Sequence, residues 1–380
     1  MSGETGGTGQ SSPAVLERSL ARLGWSSYFQ DLASGELGGG GEGETVGGEV
    51  ARVIAPHGGL VEVATASGEL LASLAGKLRQ AADEGEASRP AVGDWVLLDA
   101  RPGEGTATIR AILPRRTKLS RKSAGRAAAE QVLAANVDVA FLVTAMTRDL
   151  RPRRLERYLA IAREGGAEPV VVLTKSDLHE DAEAIRGSIE AVTGGAKVHA
   201  VSSLTGAGLA DLEAYFEGNK TVVLLGSSGV GKSTLINRFL SREMQAVQGI
   251  RVDGKGRHTT THRELFLRPG GGLVIDTPGM RELGLWGAGD GLGDLFADLE
   301  EIAARCRFRD CSHSGEPGCA VEEARREGAI DAGRLESFQK LRQEVAHMER
   351  QRDERARAET KRHDKQMSRA LHAMQKRRGR

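Results

Sequence analysis

Between residues 48 and 113 the chain alternates apolar and polar positions in short runs separated by turn residues. Glu49–Ala55, Leu60–Thr65, Glu69–Leu74, Val92–Leu98 and Thr106–Leu113 each read as a strand with one buried face. Five short strands so closely spaced suit a small barrel, of the OB type or of another small-barrel kind. The texture then changes. Val137–Ala145, Pro169–Leu173, Val222–Leu225 and Gly272–Asp276 are mostly apolar runs, as in strands buried on both faces, and Lys197–Val201 reads as another short strand. Helical stretches fall between and after them, at Pro152–Glu164, Asp181–Val192, Leu209–Glu217 and Thr234–Leu240. That alternation predicts an α/β domain with a parallel sheet. The chain's ends differ from both. Residues 1 to about 45 are glycine-rich around one helical island, Ala14–Leu32, in which Leu16, Leu20, Leu23 and Phe29 form an apolar face. Gly35–Gly48 reads as a flexible linker. From Glu322 onward the chain is helical and charged, ending in the basic clusters 361–365 and 376–380.

The chemistry is concentrated at the ends of the predicted parallel strands. Gly226-Ser-Ser-Gly-Val-Gly-Lys-Ser233 follows Val222–Leu225 and opens the helix at Thr234. This is a phosphate-cradling loop in its strand–loop–helix setting. Its glycines let successive backbone N–H groups face the phosphates, and the helix N-terminus adds its positive dipole end. Lys232 is expected on the β- and γ-phosphates and Ser233 on Mg²⁺. Gly226, Ser227, Ser228, Gly229, Val230, Gly231 and Thr234 complete the cradle. The chain therefore reads as a binder of a nucleoside triphosphate.

A guanine pocket needs a carboxylate that accepts from the base's N1–H and exocyclic amine, a donor pair that adenine lacks. Thr174-Lys-Ser-Asp177 ends the strand Pro169–Leu173 and fits that role. Asp177 would make the bidentate contact, Lys175 would lay its aliphatic stem along the base, and Ser176 completes the turn. Val201-Ser-Ser-Leu-Thr-Gly206 follows another short strand, and backbone N–H groups near Ser202 and Ser203 could cover the guanine O6. Downstream, Asp276-Thr-Pro-Gly279 ends a strand, with Asp276 expected to hold Mg²⁺ through water and the Gly279 N–H to meet the γ-phosphate. Between these lies Gly254-Lys-Gly-Arg-His-Thr-Thr-Thr261. One of its threonines suits a second Mg²⁺ ligand ordered by a γ-phosphate, Thr260 first, with Thr259 and Thr261 as alternatives. The order along the chain is base motif, second base loop, phosphate loop, threonine loop, Asp-x-x-Gly. Ordinary GTPases place the phosphate loop first, so the domain reads as circularly permuted. Such a permutation is permissible when the site lies along one sheet edge and the original termini are close.

All three cysteines fall in one short segment, as Cys306, Cys311 and Cys319, with His313 between them. Three thiolates and one imidazole make a closed tetrahedral site for structural Zn²⁺, without an open catalytic position. Composition adds less. The chain has 380 residues, enough for two or three domains, and its 39% apolar content can build real cores. A net charge of +1 does not by itself imply a nucleic-acid partner, but its basic residues are clustered, as in the connector 114–122 and Arg126. Phosphate contact is the favoured reading of that connector. No apolar run is long enough to span a bilayer and no signal-peptide pattern opens the chain, so the expected compartment is the cytoplasm.

Taken together, these stretches resemble the ribosome small subunit-dependent GTPase A family (RsgA, YjeQ, YloQ). The resemblance rests on 134–138, 174–177, 226–234, 256–261, 276–279 and the cysteine segment 306–319, and spans roughly residues 48 to 345. It implies an OB-type barrel, a circularly permuted P-loop GTPase domain and a mainly helical zinc-binding domain. The expected division is 1–47 as a flexible extension, 48–113 as the barrel, 114–285 as the GTPase domain, 286–345 as the zinc domain and 346–380 as a basic helical tail. It further implies a monomeric GTP hydrolase, without a membrane partner, acting late in maturation of the small ribosomal subunit and touching its rRNA. Two departures from ordinary GTPases stand out. The base motif begins with Thr174 in place of Asn. Met280 occupies the position where many GTPases keep a water-orienting Gln, and the resemblance assigns the catalytic role to His258. The competing reading is an RNA-binding module whose GTP site only gates affinity. An ATP-dependent kinase or transporter ATPase is disfavoured by Asp177.

Overall fold

The computed structural model describes residues 19–38, 48–84, 88–122, 130–147, 150–240, 263–277, 292–293, 295–309, 311–347 and 350. A closed five-stranded barrel comes first, built from β1 (Glu49–His57), β2 (Leu60–Ala64), β3 (Glu69–Leu74), β4 (Trp95–Arg101) and β5 (Thr106–Ile112) in the order β1-β2-β3-β5-β4. Only β3 and β5 run parallel; the other neighbours are antiparallel. This order, with helix α2 (Gly76–Glu84) between β3 and β4, is OB topology. Inward positions alternate as the sequence requires: Ala51, Val53, Val61, Val63, Ala72, Val96, Leu98, Ala107 and Ile109 fill the barrel.

The segment before the barrel is more ordered than its glycine content predicts. Residues 19–22 are helical, and helix α1 spans Ser27–Gly38, so the chain expected to be linker from Gly35 is still helical at Gly38. The reason is aromatic packing: Trp25 sets its ring 4.6 Å from that of Trp95 at 73°, and Phe29 lies 5.8 Å from Trp95. Leu23, Phe29 and Ala33 are buried in the main core.

The central sheet has six strands in the order β10-β9-β8-β11-β13-β12, formed by β8 (Val139–Ala145), β9 (Glu168–Thr174), β10 (Lys197–Ala200), β11 (Thr221–Leu225), β12 (Glu264–Leu267) and β13 (Leu273–Asp276). All neighbours are parallel except β12 and β13. The chain enters at β8, works outward to β10, then returns to β11 beside β8 and works outward the other way. Strand order therefore reverses between β8 and β11, and the crevice beyond their C-terminal ends is the place where such sheets bind ligands. The two faces of β8 show why its pattern is continuous. Val139, Phe141, Val143 and Ala145 pack with Leu235, Ile236 and Phe239 of the helix Lys232–Leu240, while Ala140 and Leu142 join the core on the other face. The stretch expected as a helix at Leu209–Glu217 lies in the 3-10 segment Ala210–Asn219, whose helical geometry is broken at Glu217 (ψ 144°) and Gly218 (φ 70°). Its buried Leu212 and Tyr215 are three residues apart, a spacing that three residues per turn also serves.

Barrel and sheet are joined by a second, two-stranded sheet, β6 (Lys118–Lys122) with β7 (Glu130–Ala135), and by a buried polar cluster. Part of the basic connector is spent here. Arg115 grips the buried Asp94 at 2.7 Å through both carboxylate oxygens, Arg116 pairs with Asp138, and Lys118 with Glu130 at 2.8 Å. These three cations brace the junction, and Arg115, largely buried, is committed to it. Gly93 is required at this joint, since a Cβ there would lie 2.1 Å from the Ala135 carbonyl oxygen. Among the described residues no helix is long and apolar enough to cross a membrane.

The C-terminal part is helical, with Ala297–Ala303, Ala320–Arg326 and residues 332–347 around the cysteine segment. Phe296 and Phe338 meet at 5.2 Å inside it. Helix α3 (Pro152–Glu164), which follows β8, carries the polar contacts to this part: Arg153 with Glu336, Arg157 with Glu344 at 2.6 Å, and buried Glu156 with Ser337 and Arg334.

Candidate nucleotide and metal sites

Three loops expected to form a nucleotide site lie at the C-terminal ends of β9, β10 and β11, and they are bonded to one another. The Thr174 hydroxyl, buried, donates to the Val230 carbonyl at 2.6 Å and lies 3.3 Å from the Thr144 carbonyl. Lys175 takes a left-handed backbone (φ 61°) and reaches the Gly229 carbonyl with its Nζ at 3.2 Å. Both contacts pin the base motif to the phosphate loop. Ser176 N–H donates to the Val201 carbonyl, and the buried Ser202 hydroxyl donates to an Asp177 carboxylate oxygen, so the base motif is pinned to the second loop as well. Arg238, on the helix after the phosphate loop, closes the ring by donating to the carbonyls of Ser203 at 2.9 Å and Leu204 at 3.3 Å. Sequence reasoning passed over Arg238. Its only signal was a cation on the polar face of that helix.

The phosphate loop has the conformation its glycines imply. At Gly226 a Cβ would meet the Val143 carbonyl oxygen at 2.3 Å, so the loop passes too close to β8 for any side chain there. Lys232 Nζ donates to the carbonyls of Gly226 and Ser227, each at 2.7 Å. Burial holds its ammonium below the ordinary lysine value, and the negative charge of Asp276 opposes this. Ser233 and Thr234 stand exposed at the start of the helix, with Ser228 exposed in the loop itself. Asp276 is buried at the end of β13, beside the strand that bears the loop, and the next residue is anchored by its Thr277 hydroxyl to the Leu224 carbonyl at 2.7 Å. One residue from outside the motifs touches the loop: Arg154 of α3 donates to the Ser227 hydroxyl at 2.7 Å. His258, Thr259, Thr260, Thr261, Gly279 and Met280 lie outside the described residues, as do the basic clusters after residue 350.

The second site is the cysteine cluster. Cys306 Sγ, Cys311 Sγ, Cys319 Sγ and a ring nitrogen of His313 all lie within 4.8 Å of one another. The nitrogen is Nδ1, at 3.6 Å from both Cys306 and Cys319 sulfurs. Zn–S bonds of about 2.3 Å in tetrahedral geometry place sulfurs roughly 3.8 Å apart, so the cluster has the dimensions of a four-coordinate site. His313 holds a left-handed backbone (φ 57°), strained for a side chain with a Cβ, as expected where several constraints converge. Burial lowers the His313 pKa, and nearby Arg342 lowers it further, which favours the neutral imidazole that a metal needs. The His313 backbone N–H pulls the Cys311 thiol down, but desolvation and the neighbouring Cys319 and Cys306 sulfurs outweigh it and hold the thiol up to about 11. A divalent cation would relieve that crowding by binding the thiolates. Three thiolates with Zn²⁺ carry a net −1, and Arg342, 3.5 Å from His313 Nε2, is placed to offset it.

Known proteins fit this geometry. A family model described as RsgA GTPase matches residues 112–286, and one described as 50S ribosome-binding GTPase matches residues 221–372. A protein of Opitutus terrae called small ribosomal subunit biogenesis GTPase RsgA is 45% identical over 348 residues, covering 88% of this chain and 92% of its own length. A Streptomyces coelicolor protein of the same name is 47% identical over 271 residues, covering 70% of this chain and 73% of its own. Among solved structures, YjeQ from Thermotoga maritima aligns with a TM-score of 0.57 at 28% identity, covering 79% of this chain and 99% of that one. YloQ, described as a circularly permuted GTPase, aligns with a TM-score of 0.56 at 27% identity, covering 80% and 96%.

Proposed function

The chain belongs to the RsgA GTPase family, and from that premise we propose that this GTPase acts on the small ribosomal subunit, assists its late maturation and is stimulated by it. The observation that carries the nucleotide reading is the mutual bonding of three loops on one sheet edge: Thr174 to Val230, Lys175 to Gly229 and Asp177 to Ser202. An acidic corner selective for guanine and a triphosphate cradle are thereby held at fixed separation.

The residue roles follow from chemistry. Asp177 accepts from the guanine N1–H and exocyclic amine, oriented by Ser202. Lys175 covers the base, and backbone N–H groups near Ser203 face O6. The loop 226–233 cradles the phosphates, with Lys232 exchanging the loop carbonyls for β- and γ-phosphate oxygens. Ser233 and Asp276 would hold Mg²⁺, with Thr260 as the switch ligand, and the ion would supply positive charge to offset that of the phosphates. With methionine at 280, His258 is the candidate to orient the attacking water, and rRNA contact that positions it would couple turnover to the subunit.

The cysteine cluster holds one structural Zn²⁺ through Cys306, Cys311, His313 and Cys319, adding folding energy to its segment. The test of the whole reading is GTP turnover with purified small subunits, large subunits or bare RNA, together with GTP, GDP and ATP competing for one labelled nucleotide. Stimulation by small subunits alone and exclusion of ATP are expected. Equal competition by ATP overturns the guanine assignment, and equal stimulation by both subunits overturns the partner.

A further inference from the structure

We propose that Arg154 is a second cation of the phosphate site, one that pairs with the terminal phosphate and makes the site favour triphosphate over diphosphate. The inference rests on the guanine-nucleotide reading and adds to it a residue that no motif contains.

Topology places Arg154 first. It lies in the first turn of α3, the helix that follows β8, while the phosphate loop follows β11. These are the two strands between which the strand order reverses. The crevice at such a switch point is bounded by the loop of one strand and the helix start of the other, so Arg154 comes to the cradle from the sheet face opposite the helix Lys232–Leu240.

Contacts narrow the placement. Arg154 Nη1 donates to Ser227 Oγ at 2.7 Å, and Lys232 Nζ donates to the carbonyl of the same residue at 2.7 Å. Two cations therefore converge on Ser227. Lysine at that loop position serves the β- and γ-phosphates, so a guanidinium within reach of the same residue is at the terminal end of the triphosphate, away from the base corner at Asp177. Its neighbours on α3 are committed elsewhere. Arg153 and Arg157 point to Glu336 and Glu344 of the C-terminal helical run, whereas Arg154 pairs with no carboxylate among the described residues. A neutral hydroxyl is a weak partner for a guanidinium compared with a phosphate oxygen, and Arg154 is exposed, so the arm can leave Ser227 at little cost. A planar fork also suits a terminal phosphate, which offers adjacent oxygens to both of its arms.

The test is the pair of dissociation constants for GDP and for a non-hydrolysable GTP analogue with Mg²⁺, measured on the full chain and on Arg154→Ala, Arg154→Lys and Arg153→Ala. Loss of a charge-assisted contact to the terminal phosphate should weaken the triphosphate by roughly ten-fold or more and GDP by less than about two-fold. Arg154→Lys should recover part of the difference. Arg153→Ala should leave the ratio of the two constants at the parent value. A merely structural Arg154, bracing the loop through Ser227, would weaken both nucleotides together. An unchanged GTP-to-GDP ratio in Arg154→Ala overturns the proposal. A parent chain that binds neither guanine nucleotide overturns the site reading itself, and the inference with it.

Discussion

The Thr174 hydroxyl donates to the Val230 carbonyl at 2.6 Å and so ties the loop after β9 to the phosphate loop after β11. A threonine supplies one proton, yet two carbonyls, of Val230 and Thr144, lie within reach. An asparagine amide supplies two protons and can serve both. Thr174→Val keeps the shape and removes the donor, leaving a buried carbonyl unpaired at a cost of about 1–3 kcal/mol. GTP affinity should fall about ten-fold in Thr174→Val and hold or rise in Thr174→Asn. Fluorescent-nucleotide titration reads both, and a Val variant that binds as tightly as the parent refutes the tie.

Metal removal should act on a different part of the molecule. The cysteine sulfurs and His313 are integrated with the core through buried Cys311 and Cys319, and the Cys319 sulfur also accepts from the Glu322 N–H at the start of the following helix. Elemental analysis should find one zinc per chain. Cys311→Ser, or chelation, should release it and lower the thermal midpoint of the C-terminal part by at least about 5 °C. A full-length protein with no zinc and an undiminished midpoint would leave the cluster as ordinary buried cysteines.

Much of this was legible in the residues. The five barrel strands, the phosphate loop and the cysteine cluster announce themselves because each rests on local rules: period-two alternation, glycine geometry and ligand spacing. Long-range contacts were not legible. Nothing in the sequence near Arg115 shows that it grips Asp94 and not RNA, since a cation's partner is set by the fold. The continuation of α1 from the expected helical island into Gly35–Gly38 was hidden for the same reason: its packing partner Trp95 lies far along the chain from a glycine-rich stretch that reads as linker. Arg154 lay outside every motif, because its relation to the loop is created by β8 and β11 lying side by side.

Arg52 makes another such long-range contact. Its fully buried guanidinium donates to the carbonyls of Leu23, of Gly93 at 3.3 Å and of Asn136 at 3.0 Å, and to the Thr221 hydroxyl at 2.9 Å, with the Trp95 ring centroid 5.3 Å away. Burial lowers its pKa to about 10, against the opposing charge of Asp138. One side chain thus joins the N-terminal segment, the barrel and the first residue of β11. Arg52→Met strands the buried carbonyls of Leu23 and Asn136, while Gly93 keeps the Asn136 Nδ2–H donor, and stability should fall by about 2–5 kcal/mol. Arg52→Lys, with fewer donors and no planar fork, should rescue little. Urea midpoints test this; a methionine variant as stable as the parent would show that the cluster is dispensable.

Glu156 gives a pH signature to the contact between α3 and the C-terminal helical run. Burial raises its carboxyl pKa above the ordinary value near 4.5, opposed by the Ser337 hydroxyl and by Arg334 and Arg153. The folded chain therefore holds this proton more tightly than the unfolded chain. Between the ordinary value and the raised one, the native state carries more protons, so Glu156 makes stability fall as pH rises through that window and keeps it lower above it. Other carboxylates have the opposite sign: burial pushes Glu130 up, but its bonds to Lys118 and Ser120 and the nearby Arg115 bring it below the ordinary value, and Glu322 and Glu336 are lowered by their basic partners, so all three favour the fold as pH rises. The parent curve alone cannot isolate Glu156, but its difference from Glu156→Gln can. Glutamine keeps an acceptor for Ser337 and removes the buried charge. The variant's advantage should be near zero well below the ordinary value near 4.5, grow as pH rises through the window and level off above the raised value. A difference that stays flat across that range, or that shrinks with rising pH, would mean that pairing with Arg334 outweighs the cost of burial.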